Sequence, residues 1–172
     1  MTPETWTGCY DDGWRDVIVP AAFAHPAKAA RGLLVRIFDE LFAMGAIQKG
    51  DVILDPFAGI GTTGIEAASR GCRFIGVEVE EKFVALAREN FARHAATWAA
   101  MGRPQPVVVR GDSRRLREAI GPVLADTVVG SPPFQECLSD KPSKSITKSG
   151  LRMGASSMGD GYGTTPGQLG AM

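Results

Sequence analysis

Four short apolar runs, separated by amphipathic stretches, organise this chain. Val52-Ile53-Leu54, a short apolar run after Lys49-Gly50, has the pattern of a strand buried on both faces. Arg73-Phe74-Ile75-Gly76-Val77-Glu78 reads as a second strand ending on a carboxylate. Val107-Val108-Val109 reads as a third, followed by Asp112, and Thr127-Val128-Val129-Gly130 as a fourth. After the first strand, Thr62 or Thr63 is expected to cap a helix that holds Ile65, Ala67 and Ala68. Residues 80–101 form a long helical pattern in which Phe83, Leu86, Ala87, Phe91 and Trp98 share a core-facing stripe. His94 lies beside that stripe and reads as structural. Upstream, Leu34, Ile37, Phe38 and Leu41 line one face of an amphipathic helix. Strands alternating with helices predict an α/β fold: a parallel sheet with right-handed crossovers and helices on both faces.

Composition narrows the setting more than the fold. At 172 residues there is room for one domain with a real core, and 44% hydrophobic with 22% charged residues is globular usage. No apolar stretch reaches membrane-spanning length and the N-terminus carries no signal-peptide pattern, so a cytoplasmic chain with no membrane partner is expected. Cys9, Cys72 and Cys137 fit neither a disulfide framework nor a zinc site, and no metal is expected. Residues 1–20 read as an N-terminal extension, 21–134 as the core domain, and 135–172 as a Gly/Ser/Lys-rich tail or substrate loop.

The chemistry concentrates at the ends of the strands. Asp55 stands at the carboxyl end of the first, where ligands bind in open α/β sheets. In the turn Asp55-Pro56-Phe57-Ala58-Gly59-Ile60-Gly61-Thr62-Thr63, Gly59 and Gly61 leave no side chain between backbone and ligand. Glu78 follows the glycines by roughly 20 residues, the spacing at which a carboxylate accepts from ribose hydroxyls. Asp112 offers a third acceptor on the same edge, suited to an adenine amino group. No G-x-x-x-x-G-K-[ST] is present, and the third glycine of G-x-G-x-x-G is missing from its place. Phosphate-loop and dinucleotide sites are therefore disfavoured.

These residues resemble the S-adenosylmethionine-dependent amino-methyltransferases of DNA, whose cofactor motif reads D-P-F-x-G-x-G-T-T. The resemblance implies a Rossmann-like methyltransferase fold. It places Asp55 near the methionine amino group, with Pro56, Phe57, Gly59, Gly61 and Thr62 around that end, Glu78 on the ribose and Asp112 on the adenine. Phe23-Ala24-His25-Pro26-Ala27-Lys28 resembles in part the H-P-x-x-K-P segment that packs beside the methionine end in this family. Lys28 falls one place early, and no proline follows it.

Ser131-Pro132-Pro133-Phe134 is similar to the S-P-P-[YF] motif of the same family. Two prolines fix φ and remove two N–H donors. What remains is a rigid pair of acceptors, the Ser131 hydroxyl and the Pro132 carbonyl. Acceptors that hold the hydrogens of an exocyclic amino group draw its nitrogen toward tetrahedral geometry and aim the lone pair at a methyl donor. Phe134 offers a face for a flipped-out base. Within the family, serine at the first position leans toward cytosine N4 and aspartate toward adenine N6. Asparagine there would have suggested methylation of release factors or ribosomal RNA. The expected partner is DNA, through a flipped cytosine or adenine.

Net charge is zero, which sits awkwardly with a phosphate backbone as partner. Arg110, Arg114, Arg115 and Arg117 read as a solvated face, whereas Lys141, Lys144, Lys148 and Arg152 follow the clamp where a nucleic-acid strand would pass. Only the cofactor-binding half of the family's sheet, about four strands, can be found, so the chain looks cut short at its C-terminal side. A second reading follows from that. The chain is then a cofactor-binding half-domain or inactive fragment, completed by a partner chain or a second copy that covers the edge of its fourth strand. An RNA or protein amino-methyltransferase is the remaining alternative.

Overall fold

The computed structural model describes residues 5–25 and 28–132. A 3₁₀ turn, Pro20–Ala24, leads into helix α1, Arg31–Ala43. Strand β1, Val52–Asp55, is followed by α2, Thr62–Ser69; strand β2, Arg73–Glu78, by the long α3, Glu81–Ala100. Then come β3, Val107–Arg110, the short α4, Leu116–Ile120, and β4, Thr127–Val128. The four strands form one sheet in the order β3-β2-β1-β4, and every pairing is parallel. The chain thus steps outward from β1 to β3 and then returns to the other side of β1. That reversal makes β1/β4 the switch point of a doubly wound sheet, with all four carboxyl ends on one edge.

Pairing register explains which face is core. Ile53 lies beside Phe74, and Gly76 beside Val108, on the face that receives α2 and α3. There Phe74 and Phe91 meet edge to face with centroids 6.2 Å apart. On the opposite face Leu54, Ile75 and Val107 align. Helix α4 covers part of this face: a Cβ at Gly111 would lie 2.6 Å from Ala119 Cβ and 3.2 Å from Val77 Cγ1. Val107 and Val128, on the same face, are exposed among the described residues. Helices lie on both faces, as the alternation predicts.

Three strands begin and end within a residue of expectation, because short apolar runs bounded by charged or turn residues mark them. The fourth is shorter than Thr127–Gly130. Val129 N–H still donates to Leu54 O at 3.0 Å. The next donor along β1 would be position 56, a proline with no N–H to return, and the ladder stops there.

A buried charge anchors the helical layer. Glu66 of α2, almost wholly buried, accepts from Arg31 Nε at 3.2 Å and from an Arg70 guanidinium nitrogen at 2.6 Å. Arg31 continues to Asp12 and Arg70 to Asp39, tying the N-terminal loop, α1 and α2 together. Arg70 also lies over the Phe38 ring, 5.4 Å from its centroid. Among the described residues no helix is long and apolar enough to cross a membrane. Glu66→Ala takes the shared acceptor from two partly buried guanidinium groups and leaves them Asp12 and Asp39. Urea unfolding should show a loss of about 2 kcal/mol, below the range for a fully buried pair because both arginines keep solvent contact.

Candidate active site

The turn after β1 is bonded to the end of β2. Ala58 N–H donates to Val77 O at 2.9 Å, and Gly59 N–H to a Glu78 carboxylate oxygen at 2.9 Å. Gly59 and Gly61 have φ of 51° and 80°, backbone that favours glycine. At Gly61 space is also short, since a Cβ would lie 2.6 Å from Phe91 Cζ of α3. Gly61 itself is the N-cap of α2, and no side chain caps this helix. The expected threonine cap is therefore corrected. Thr62 and Thr63 are already helical, and the Thr63 hydroxyl instead bonds the Asp55 carboxylate.

Asp55, Glu78 and Asp112 follow three adjacent strands, β1, β2 and β3, along one edge. Their surroundings differ. Asp55 is buried and accepts from Phe57 N–H at 2.9 Å. Burial raises its carboxyl to about 6, against the opposing bonds from Thr63 and Phe57. Glu78 accepts from Gly59 N–H and Glu80 N–H, each at 2.9 Å, so backbone fixes both its oxygens. Burial again pushes its pKa upward. Asp112 lies toward solvent and is gripped by Arg114, with contacts of 3.0, 3.1 and 2.6 Å. That grip, with the Arg114 N–H, holds it down to about 2. The neighbouring Ser113 hydroxyl donates to Pro56 O, joining the turn after β3 to the turn after β1.

The fourth strand brings the segment expected to clamp an amino group to the same edge. At Gly130 a Cβ would lie 2.7 Å from Asp55 Oδ1 and 3.4 Å from Pro56 Cδ, so the chain rides directly over the buried carboxylate. Ser131 and Pro132 follow it and are exposed. Pro133, Phe134, Cys137 and the tail cations Lys141, Lys144, Lys148 and Arg152 lie outside the described residues.

His25 closes the other side. It is buried, its ring meets Phe83 edge-on at 4.3 Å, and its Nε2 would be 3.2 Å from a Cβ at Gly59. Burial first, then the charges of Lys28 and Lys82, lower its pKa to about 4, so the imidazole is neutral at pH 7. Lys28 Nζ donates to Phe23 O at 2.8 Å and to His25 O at 2.5 Å, fixing the backbone on either side of this wall. His94 is far along α3, bonded to Val17 O at 2.7 Å and tilted on Trp98, the structural role its position suggested. Arg110, Arg114 and Arg115 are exposed and face their own acids Glu81, Asp112 and Glu118.

Sequence reasoning passed over Asn90, Thr63 as a carboxylate partner, and Ser113. Asn90 fell in a helix read as a hydrophobic stripe, and its two partners lie 30 and 71 residues away. Nothing in local spacing signals such a bridge.

A raised carboxyl pKa has a sign that can be tested. Between the ordinary value of 3.8 and about 6 the folded chain binds the proton more tightly than the unfolded one. Stability from this group therefore falls as pH rises through that window, by about 3 kcal/mol at most. Asp55→Asn removes the cost while keeping an acceptor for Phe57 N–H. Its denaturant midpoint should exceed that of the unaltered chain at pH 7.5 and approach it at pH 4.

Known proteins share this stretch of sequence. A family model described as DNA methylase (N6_N4_Mtase) matches residues 8–89. The Type II methyltransferase M2.DpnII of Streptococcus pneumoniae is 42% identical over 66 residues, 38% of this chain and 23% of that protein. The Type II methyltransferase M2.MboI of Moraxella bovis is 40% identical over 67 residues, 39% of this chain and 23% of that protein. The chain thus matches under a quarter of the length of these curated relatives. Among solved structures, TrmN from Thermus thermophilus superposes with a TM-score of 0.45 at 27% identity, over 61% of this chain and 28% of that one. A protein-L-isoaspartate O-methyltransferase does so with a TM-score of 0.46 at 15% identity, over 63% and 31%. From the N-terminal loop through the glycine turn to the middle of α3, this chain resembles the N6/N4 DNA methylases.

Proposed function

We propose that the chain transfers a methyl group from S-adenosylmethionine to an exocyclic amino group of a DNA base. One observation carries the reading: Gly130, just before Ser131, lies against Asp55 at the switch point of the sheet. A donor pocket and an acceptor clamp then share a wall.

The acceptors on the edge fit this cofactor from end to end. Its ammonium group suits the buried Asp55 carboxylate, its ribose hydroxyls suit Glu78, and its adenine amino group suits Asp112. Asp112 accepts four contacts from Arg114, so an adenine amino group would take the place of one of them. Gly59 and Gly61 let the backbone approach the methionine end, Pro56, Phe57 and Thr62 border it, and neutral His25 adds no charge to repel a sulfonium. When bound, the cofactor supplies an electrophilic methyl group.

The remaining work belongs to the clamp. The Ser131 hydroxyl and Pro132 carbonyl accept the two amino hydrogens of a flipped base, and Pro133 holds that carbonyl in place. Phe134 stacks on the ring. Held by these two acceptors, the target nitrogen would take the methyl group that the cofactor supplies and release one proton to water. Rate enhancement comes from alignment and fixed dipoles, with no covalent enzyme intermediate. Serine in the clamp favours cytosine N4 as the target, with adenine N6 the other member of the class.

A second reading rests on the sheet. Strand β4 is two residues long and Val128 is exposed on it, which favours a half-domain completed by further strands or by a second copy. Methyl transfer from labelled S-adenosylmethionine to mixed-sequence DNA separates the two. Labelled N4-methylcytosine supports the first reading in full, and N6-methyladenine moves only the base. No labelled base from folded, cofactor-binding protein favours the half-domain.

Two variants divide the roles. Asp55→Ala should weaken S-adenosylmethionine binding at least tenfold by calorimetry. Ser131→Ala should leave that affinity unchanged while transfer drops about a hundredfold. Equal loss of binding in both would refute the division.

A further inference from the structure

Helix α3 touches the site from beneath at three levels. Phe83 supports the His25 ring, Phe91 fills the space under Gly61, and between them stands Asn90, fully buried. Its Nδ2 donates to Ile60 O at 2.9 Å, and its Oδ1 accepts from Val19 N–H at 2.7 Å. The partners fix the amide's orientation, since a backbone N–H can only donate and a carbonyl only accept. Ile60 lies between the two glycines of the turn. Val19 opens the 3₁₀ turn Pro20–Ala24 that delivers His25 against Gly59.

Resting on the reading just given, we propose that Asn90 is a positioning residue. It sets the spacing between the N-terminal wall and the glycine turn, and thereby shapes the pocket for the methionine end of S-adenosylmethionine. Leucine in its place would fill similar volume and leave the Val19 N–H and Ile60 carbonyl without this partner. What only the amide supplies is a fixed distance between two backbone segments that are far apart in sequence. Asn90 lies beneath the site and acts through Val19 and Ile60.

The test compares Asn90→Leu with Val84→Ala, a core truncation in the same helix that serves as a control for lost stability. Hydrogen exchange of residues 17–25 and the Kd for S-adenosylmethionine are measured on both, in the full chain. Asn90→Leu should speed exchange in 17–25 at least tenfold and raise the Kd about tenfold. Val84→Ala, at comparable Tm, should leave both near the unaltered values. Matching behaviour in the two variants overturns the proposal. If Asn90→Leu does not fold, Asn90→Asp keeps the acceptor for Val19 and loses the donor to Ile60. It should raise the Kd with 17–25 still protected, and an unchanged Kd overturns the proposal. Failure of the unaltered chain to bind S-adenosylmethionine sinks the functional reading instead, and the exchange comparison still decides the role of Asn90 in spacing the wall.

Discussion

The Phe91 ring, with no room to spare above it, sets where the turn after β1 lies. Its Cζ sits where a side chain at Gly61 would begin, and a Cβ at Gly64 would come within 2.9 Å of the same atom. With those two positions bare, α2 settles onto α3 and the turn drops toward β2. There Ala58 and Glu78 complete its hydrogen bonds. The same descent carries Gly59 against His25 and leaves Asp55 buried below Gly130. A bulkier turn would rise off α3, and the carboxylate edge, the imidazole wall and the clamp would separate together.

Burying a carboxylate under that turn is unfavourable, and only two hydrogen bonds oppose the cost. Such a group is out of place in a scaffold selected for stability alone. It suits a site that meets a cation, because a ligand's ammonium restores the interaction that water no longer supplies. Glu78 shows a milder form of the same economy, its oxygens already aimed by two backbone donors. Asp112 is the contrast: solvent and Arg114 keep it ionised, and it needs no ligand for that. The edge thus grades from a buried, protonatable end to an exposed, charged one.

Much of the layout was legible in the sequence because its signals are local. Unbroken runs such as Val52-Ile53-Leu54 and Val107-Val108-Val109 mark parallel strands, and the glycines mark a turn that must approach other backbone. The Phe83–Trp98 stripe marks a core helix. Each is decided within a few residues. What stayed hidden depends on partners distant in sequence. Glu66 looks like a surface residue of a short helix until Arg31 and Arg70 surround it. Thr63 looks like a cap until Gly61 takes that position and the hydroxyl turns to Asp55. The end of β4 follows from the proline just after the neighbouring strand β1. The clamp's final two residues, Pro133 and Phe134, lie outside the described residues and rest on the sequence motif.

The contact between Gly130 and Asp55 makes the two halves of the site mechanically one. A Cβ there would lie 2.7 Å from the carboxylate oxygen, so a residue without a side chain is what fits over Asp55. A movement of Asp55 toward a bound cation would bear first on Gly130 and, at the next bond, on Ser131. If a methyl donor and a base bind on either side of this wall, as proposed, they do not fill it independently. Whatever free energy one occupant gains from the presence of the other, the second gains equally from the first. Reciprocity of that kind is a property of the shared wall, whichever occupant arrives first.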